Sequence, residues 1–177
     1  MNDEFICQQV LAGNTQAYRI LVLRHQRPLF RFLMGFKFPE QAVEDLAQEA
    51  FVRAYKNLSK YDSSRAAFQT WLFTIARNLA LNEIEKQRTR GEPDLGLELD
   101  VAAADMTGAL ETHLDLERAL GRIPAAFRTA LVLSYVQDLP VEAAASIEGC
   151  SIGTIKSRVF RAKALLRSLM NDEKEKG

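Results

Sequence analysis

The clearest structural pattern in this chain lies in residues 141–170, whose sequence is VEAAASIEGCSIGTIKSRVFRAKALLRSLM. An alanine-rich segment predicts a short helix over 141–148, and Gly149 suits a turn that needs positive φ. Ser151 suits the N-cap of a second helix over 152–170. In that helix apolar residues recur at spacings of three and four, which predicts one buried stripe formed by Ile152, Ile155, Val159, Ala162, Leu166 and Leu169. Two helices joined by such a turn predict a helix-turn-helix.

The face opposite that stripe carries Phe160 and Ser157, flanked by Lys156, Arg161 and Arg167. An aromatic ring among cations is costly on a surface that meets only water. It suits the major groove, where cations contact guanine edges and phosphates and a ring packs on a thymine methyl group. The pattern therefore predicts a duplex DNA site. The alternative is an antiparallel helical pair whose cations only solvate the surface.

Composition excludes several classes of protein. The 177 residues are 47% hydrophobic and 26% charged, which is typical of a globular chain. No apolar run approaches the roughly 20 residues of a membrane helix, and the acidic start does not resemble a secretion signal. Two cysteines are too few for a disulfide framework. We expect a soluble, cytoplasmic protein without membrane insertion.

Helical periodicity dominates and β signals are scarce, so the sequence predicts an all-α fold of two small helical domains. Residues 91–117 contain eight acids and no Lys or Arg, and residues 91–112 lack an amphipathic pattern. That stretch predicts a flexible acidic linker between domains at 1–90 and 113–172, followed by a charged tail at 173–177. The predicted helices span about 3–12, 14–36 with Asn14 as N-cap, 40–58 and 68–88, then 114–122, 125–136, 141–148 and 152–170.

The third predicted helix has an outer face suited to binding a protein. Its periodicity turns Val43, Ala50, Phe51 and Ala54 inward and leaves a different set outside, comprising Asp45, Gln48, Glu49 and Val52. An exposed valine within a polar rim is typical of a protein interface, although a plain solvated face is the alternative. No histidine is near these carboxylates, so we expect no metal site, no cofactor and no catalytic residues.

The fourth predicted helix combines a buried apolar face with two amides. The predicted buried residues are Phe68, Trp71, Leu72, Ile75 and Leu79. Asn78 and Asn82 are poor helix-interior residues in adjacent turns, and their amides could bond either exposed base edges or neighbouring backbone groups.

Several segments resemble the extracytoplasmic-function subgroup of the bacterial sigma-70 family. The segments that resemble region 4 of that family are residues 120–124, 128, 131–133, 149–158 and 161–162. Region 2 is resembled by Asp45-Leu46-Ala47-Gln48-Glu49-Ala50-Phe51 and by Phe68-Gln69-Thr70-Trp71-Leu72-Phe73-Thr74-Ile75-Ala76-Arg77-Asn78. One departure is the sequence Ala143-Ala144-Ala145, where members usually carry Glu-Ile-Ala. We expect the smaller Ala144 to loosen the local core by about 1 kcal/mol.

The resemblance implies an RNA polymerase sigma factor, which initiates promoter-specific transcription and is not an enzyme. It assigns Asp45, Gln48, Glu49 and Val52 to the β′ clamp helices of core RNA polymerase. It assigns to the single-stranded −10 element the residues Asp62, Ser63, Ser64, Arg65, Asn78, Asn82, Lys86 and Arg88. It assigns to the −35 duplex the residues Thr154, Lys156, Ser157, Phe160 and Arg161. The linker would thread the polymerase channel that later holds nascent RNA.

Other partners and classes stay open from the sequence. An anti-sigma factor is common in this family, but nothing in the residues identifies one. A stand-alone helix-turn-helix regulator would bind duplex promoter DNA without polymerase. A helical adaptor that binds only protein would show no salt-dependent affinity for DNA.

Overall fold

The computed structural model describes residues 2–90, 116 and 118–174, and this part of the chain is all-α. The predicted linker and the end of the tail lie outside it. The α-helices whose bounds are set within these described residues are α1 Asp3–Leu11, α2 Tyr18–Met34, α3 Glu40–Lys56, α4 Phe68–Thr89, α5 Ala125–Leu131, α6 Val141–Glu148 and α7 Ile152–Lys174. Residues 118–122 are also helical. Of these described helices, none is both long enough and apolar enough to cross a bilayer.

Helices α1 to α4 form the N-terminal unit, in which α2, α3 and α4 pack on one another. Its centre contains large apolar side chains that are almost completely buried, including Leu21, Leu29, Phe32, Leu33, Phe68, Leu72 and Phe73. The start of α2 differs from the prediction. A 3₁₀ turn at Thr15–Ala17 precedes it, and the side chain of Asn14 makes no capping hydrogen bond.

Helices α5 to α7 form the C-terminal unit, and the predicted helix-turn-helix is confirmed. Gly149 ends α6 in the left-handed conformation, with φ of 60°. The Ser151 hydroxyl accepts a hydrogen bond from the backbone N–H of Thr154 at 3.1 Å, which caps α7. Before this motif, α5 continues into a π-helical turn at Val132–Val136. The local signals of glycine and serine therefore set the geometry of the motif.

The two units pack directly against each other, which the sequence did not predict. Helix α6 packs on α4, and buried residues of both units belong to one continuous core. Arg128 Nε donates a hydrogen bond to the carbonyl of Gly35 at the end of α2, at 2.9 Å. Gln137 Nε2 donates to the carbonyl of Pro28 at 3.1 Å. Within the described residues the two units therefore form a single body.

This contact explains an error in the predicted buried face of α4. Trp71 and Ile75 are only half-buried, whereas Phe73, Ala76 and Ala80 are completely buried. Helix α4 packs against α2 and α3 of its own unit and also against α6 of the other unit, so more than one of its faces is buried. Small residues let two helices approach closely, so the alanines of α6 and α4 suit this contact.

One residue of the predicted stripe on α7 is also misplaced. Ile155 and Ala162 are completely buried as expected, but Ile152 is 41% exposed. It is the first residue of α7, and its neighbours Ser151 and Gly153 are exposed as well.

Candidate polymerase and nucleic-acid interfaces

The outer residues of α3 divide between two grooves. Gln48 and Val52 line an apolar groove of about 590 Å³ between α2 and α3, together with Tyr18, Val22 and Tyr55. Val52 and Tyr55 are each about two-fifths exposed. The contribution of α2 and of Tyr55 was not predicted from the sequence. The spacing of Val52 and Tyr55, three residues apart, was the signal that could have indicated this second apolar edge.

Asp45 and Glu49 face the other side of α3. They line a more polar groove of about 970 Å³ between α3 and α4, which also contains Asn82 and Lys86. Glu49 accepts a hydrogen bond from Arg53 Nε at 2.6 Å. The structure therefore brings two of the predicted polymerase-binding carboxylates together with two of the predicted −10 residues.

The predicted −10 loop is held by its own side chains. The Asp62 carboxylate accepts hydrogen bonds from the N–H and the hydroxyl of Ser64, at 2.9 and 2.6 Å. These bonds, with a smaller attraction from Arg65, lower the pKa of Asp62. The loop residues Asp62, Ser63, Ser64 and Arg65 are all exposed. A rigid turn thus displays polar groups to solvent.

A contact with α1, which was not predicted from the sequence, also restrains this loop. The hydroxyl of Ser63 donates a hydrogen bond to the Glu4 carboxylate at 2.8 Å. Since that hydroxyl uses its proton on Glu4, its remaining capacity is to accept a hydrogen bond.

The polar residues of α4 form a row along one face of the helix. Asn78, Asn82 and Lys86 follow one another at intervals of four, and all three are exposed, as is Arg88. Lys86 lies 3.7 Å from the carboxylate of Glu83. Both amides are therefore available to a ligand, and no hydrogen bond ties Asn78 or Asn82 to the backbone in the described part of the chain.

The outer face of α7 presents its residues as predicted. Phe160 is 75% exposed, and Lys156, Ser157 and Arg161 are exposed around it. Thr154 is half-buried, and its hydroxyl is 2.9 Å from that of Ser151. We call the five residues Thr154, Lys156, Ser157, Phe160 and Arg161 the recognition face.

A buried carboxylate on α6 contacts both the second helix of the helix-turn-helix and the N-terminal unit. Glu148 is 5% exposed and accepts a hydrogen bond from Arg158 Nη1 at 3.1 Å. Arg77 of α4 approaches the same carboxylate at 3.8 Å. Glu148 therefore connects the two helices of the motif and also lies at the contact between the units.

The described residues contain no group of three or more histidine, cysteine or acidic side chains that could hold a metal ion.

Comparison with known families follows the same division of the chain. The Sigma-70 region 2 model matches residues 21–90, and the Sigma-70 region 4 model matches residues 113–166. The chain belongs to the sigma-70 family. Its relatives place it in the extracytoplasmic-function (ECF) subgroup, and members of this family are not classically enzymes.

Relatives that match nearly the whole length of this sigma factor include the following two. It is 34% identical to the RNA polymerase sigma-H factor of Pseudomonas aeruginosa, over 91% of the chain and 90% of that protein. It is 29% identical to the ECF RNA polymerase sigma factor SigW of Bacillus subtilis, over 93% and 95%.

Solved structures that match across both units include two sigma factor complexes. CnrH in complex with the cytosolic domain of CnrY is 26% identical, with a TM-score of 0.72 over 96% of this chain and 97% of that one. The sigma factor RpoE in complex with the anti-sigma factor NepR, from Bartonella quintana, is 30% identical, with a TM-score of 0.73 over 87% and 96%.

Proposed function

We propose that this sigma factor directs core RNA polymerase to promoters through three surfaces, one for polymerase, one for the −10 element and one for the −35 duplex. The observation that carries the proposal is the recognition face, where a 75% exposed phenylalanine is surrounded by exposed cations. Such a face is costly in water and favourable in a major groove, where the ring can cover a thymine methyl group. The factor acts by binding, in the cytoplasm, with its functional units at 1–90 and 113–172.

The polymerase surface centres on the apolar groove of α3. Val52 and Gln48 supply an apolar centre with a polar edge, and the β′ clamp helices would cover them. Asp45 and Glu49 form the charged rim on the other side of the helix. Because that rim shares a groove with Asn82 and Lys86, the polymerase and −10 surfaces adjoin. Binding of polymerase would therefore bring the clamp to the edge of the DNA site.

The −10 surface joins the loop of residues 61–68 to the polar row of α4. The exposed hydroxyls of the loop would bond an unstacked base, and Asn78 and Asn82 would bond neighbouring base edges. Lys86 and Arg88 would neutralise phosphates of the same strand. Opening costs a few kcal/mol per extruded base, and these contacts would offset that cost.

Run-off transcription with purified core polymerase and a genomic promoter pool tests the proposal. We expect promoter-dependent transcripts, and their complete absence would contradict a sigma function. Replacing Val52 by Asp should weaken binding to core polymerase, because the substitution buries a charge in the apolar groove. Arg19→Ala, at the exposed start of α2, is the control. If polymerase binding is unchanged in V52D, the groove is not the docking surface.

The alternative of a stand-alone regulator makes a different prediction. Such a protein would protect duplex promoter DNA without polymerase and would give no transcript of its own. Footprinting with and without core polymerase separates the two functions, because only a sigma factor yields single-stranded reactivity at −10 when polymerase is added.

A further inference from the structure

We propose that helix α1 fixes the proton of the Ser63 hydroxyl, so that the −10 loop meets an extruded base with hydrogen-bond acceptors and selects a base that carries an exocyclic amino group. The proposal rests on the proposed function for the identity of the ligand, and it adds α1 to the parts of the chain that determine base preference. Its basis is the direction of each hydrogen bond around the loop.

Two serine hydroxyls of the loop act as donors, because each of them bonds to a carboxylate. Ser63 donates to Glu4 at 2.8 Å, and Ser64 donates to Asp62 at 2.6 Å. An ionised carboxylate can only accept, so the single proton of each hydroxyl points to the carboxylate. The two hydroxyl oxygens therefore keep lone pairs, and no proton, for a ligand.

Other donors of the same segment are also used inside the protein. The Tyr61 hydroxyl donates to the carbonyl of Ala66 at 3.2 Å. Burial, and to a smaller extent the nearby Cys7 thiol and three carboxylates, raise the pKa of Tyr61 to about 12, so this hydroxyl keeps its proton. The backbone N–H groups of Arg65 and Ala66 both donate to the carbonyl of Asp62. The exposed Arg65 guanidinium remains a donor, but as a cation it suits a phosphate. The edge of a base therefore meets mainly acceptors.

The position of Glu4 is set by its neighbour Asp3. Asp3 forms an ion pair with Arg24 and lies 2.7 Å from Nε2 of His25, and both partners are on α2. His25 is 5% exposed, and its ring packs on Phe68 at the start of α4, with the ring centroids 5.5 Å apart. Helix α1 therefore begins at a fixed place beside the −10 loop. Asp3 and His25 act as positioning residues for Glu4.

A hydroxyl that can only accept discriminates among the bases by their exocyclic groups. Cytosine, adenine and guanine each carry an amino group that donates, whereas thymine and uracil carry only carbonyl oxygens at the corresponding positions. When two acceptors face each other, both lack a hydrogen-bond partner, which opposes binding. The loop should therefore favour an amino base by about three- to tenfold, the range expected for one net hydrogen bond.

Binding of the sigma factor with core polymerase to fork-junction DNA, in which the −10 element is single-stranded, measures this preference. At each position of the non-template strand, an amino base is compared with an analogue that lacks the amino group: uracil for cytosine, purine for adenine and hypoxanthine for guanine. A thymine series controls for the methyl group of that base. We expect one position at which the amino base binds about three- to tenfold more tightly than its analogue. If no position makes this distinction, the proposal is wrong.

Two substitutions separate the role of α1 from that of the loop. Glu4→Ala releases the Ser63 proton, so uracil at the sensitive position should bind about three- to tenfold more tightly while the amino base changes little. Ser63→Ala removes the acceptor, so the amino base should bind more weakly by about the same factor while uracil changes little. Glu142→Ala, exposed on α6, is the control. A merely structural role of Glu4 would weaken binding of all bases alike. That result, or unchanged discrimination in E4A, would overturn the proposal.

The anchor of α1 has its own test. Asp3→Ala frees the start of α1 and should relax the preference in the same direction as Glu4→Ala. His25→Gln keeps a side-chain N–H that can donate to Asp3, so it should retain more of the preference than D3A. Unchanged discrimination in D3A, or equally weaker binding of every base, would overturn the anchoring step.

Failure of this inference can be distinguished from failure of the proposed function. A protein that gives no promoter-dependent transcript with core polymerase would contradict the sigma function and the inference together. Promoter-dependent transcription without discrimination between an amino base and its analogue would contradict the inference alone.

Discussion

Phenylalanine 160 provides the most direct test of the recognition face. A phenylalanine side chain can bury about 200 Å², and 75% of Phe160 is exposed in the free protein. About 150 Å² is therefore available to a ligand. At about 25 cal/mol per Å², covering half of that area on DNA contributes roughly 2 kcal/mol, or about 30-fold in affinity.

The substitution Phe160→Ala should therefore weaken binding to the −35 duplex by about 30-fold, while the free energy of unfolding stays within about 0.5 kcal/mol of wild type. A competition assay with polymerase-bound sigma factor measures the affinity for the −35 duplex, and chemical denaturation measures the free energy of unfolding. Phe5→Ala is the matched control, because Phe5 is 47% exposed in the other unit. An unchanged −35 affinity in F160A would show that Phe160 does not contact the DNA. A large loss of stability would show that its side chain is packed inside the protein. Either result would refute the reasoning.

Three further predictions follow from other parts of the structure. Lys156→Ala and Arg161→Ala should each reduce the slope of log affinity against log salt by about one while leaving core binding intact, because in the proposed −35 complex each cation would neutralise one phosphate; titrations at several salt concentrations check this. Glu4→Ala should relax base preference in the −10 element, because the Ser63 hydroxyl would no longer donate to Glu4 and could donate to a base as well as accept from one. Permanganate footprinting and transcription on −10 variants measure this preference, and an unchanged preference would mean that the loop does not bind a base. Burial raises the pKa of Cys7 to about 11. Its thiol should therefore resist alkylation at pH 9 under conditions in which the half-buried Cys150 is labelled, and mass spectrometry would show early labelling of Cys7 if it were not buried. The free energy of unfolding should fall from pH 9 to 11, because over that range the Cys7 thiol ionises in the unfolded chain but not in the folded one, and denaturation curves at each pH test this.

The sequence alone was sufficient for the helices and the helix-turn-helix, because these depend on local signals. Apolar spacing, Gly149 with its positive φ and the Ser151 cap are properties of neighbouring residues, and the structure confirms them. The exposure of Phe160 also follows from helical periodicity, which assigns residues to faces without knowledge of the partner helix. The sequence left open whether Asn78 and Asn82 face a ligand or bond neighbouring backbone groups, and the structure shows both exposed.

Tertiary structure alone decided which apolar faces meet. Two faces of α4 could be buried, and no local signal indicates that Ala76 and Ala80 are completely buried while Trp71 is only half-buried. Periodicity likewise could not separate Val52 from Glu49 into different grooves, since the grooves are made by α2 and α4. Ala144 gives the clearest example. From the sequence alone, its small side chain predicts fewer apolar contacts in the local core. In the structure it is fully buried on α6, the helix that packs against α4. A small side chain weakens one contact and permits another, and only the packed structure determines which of the two effects applies.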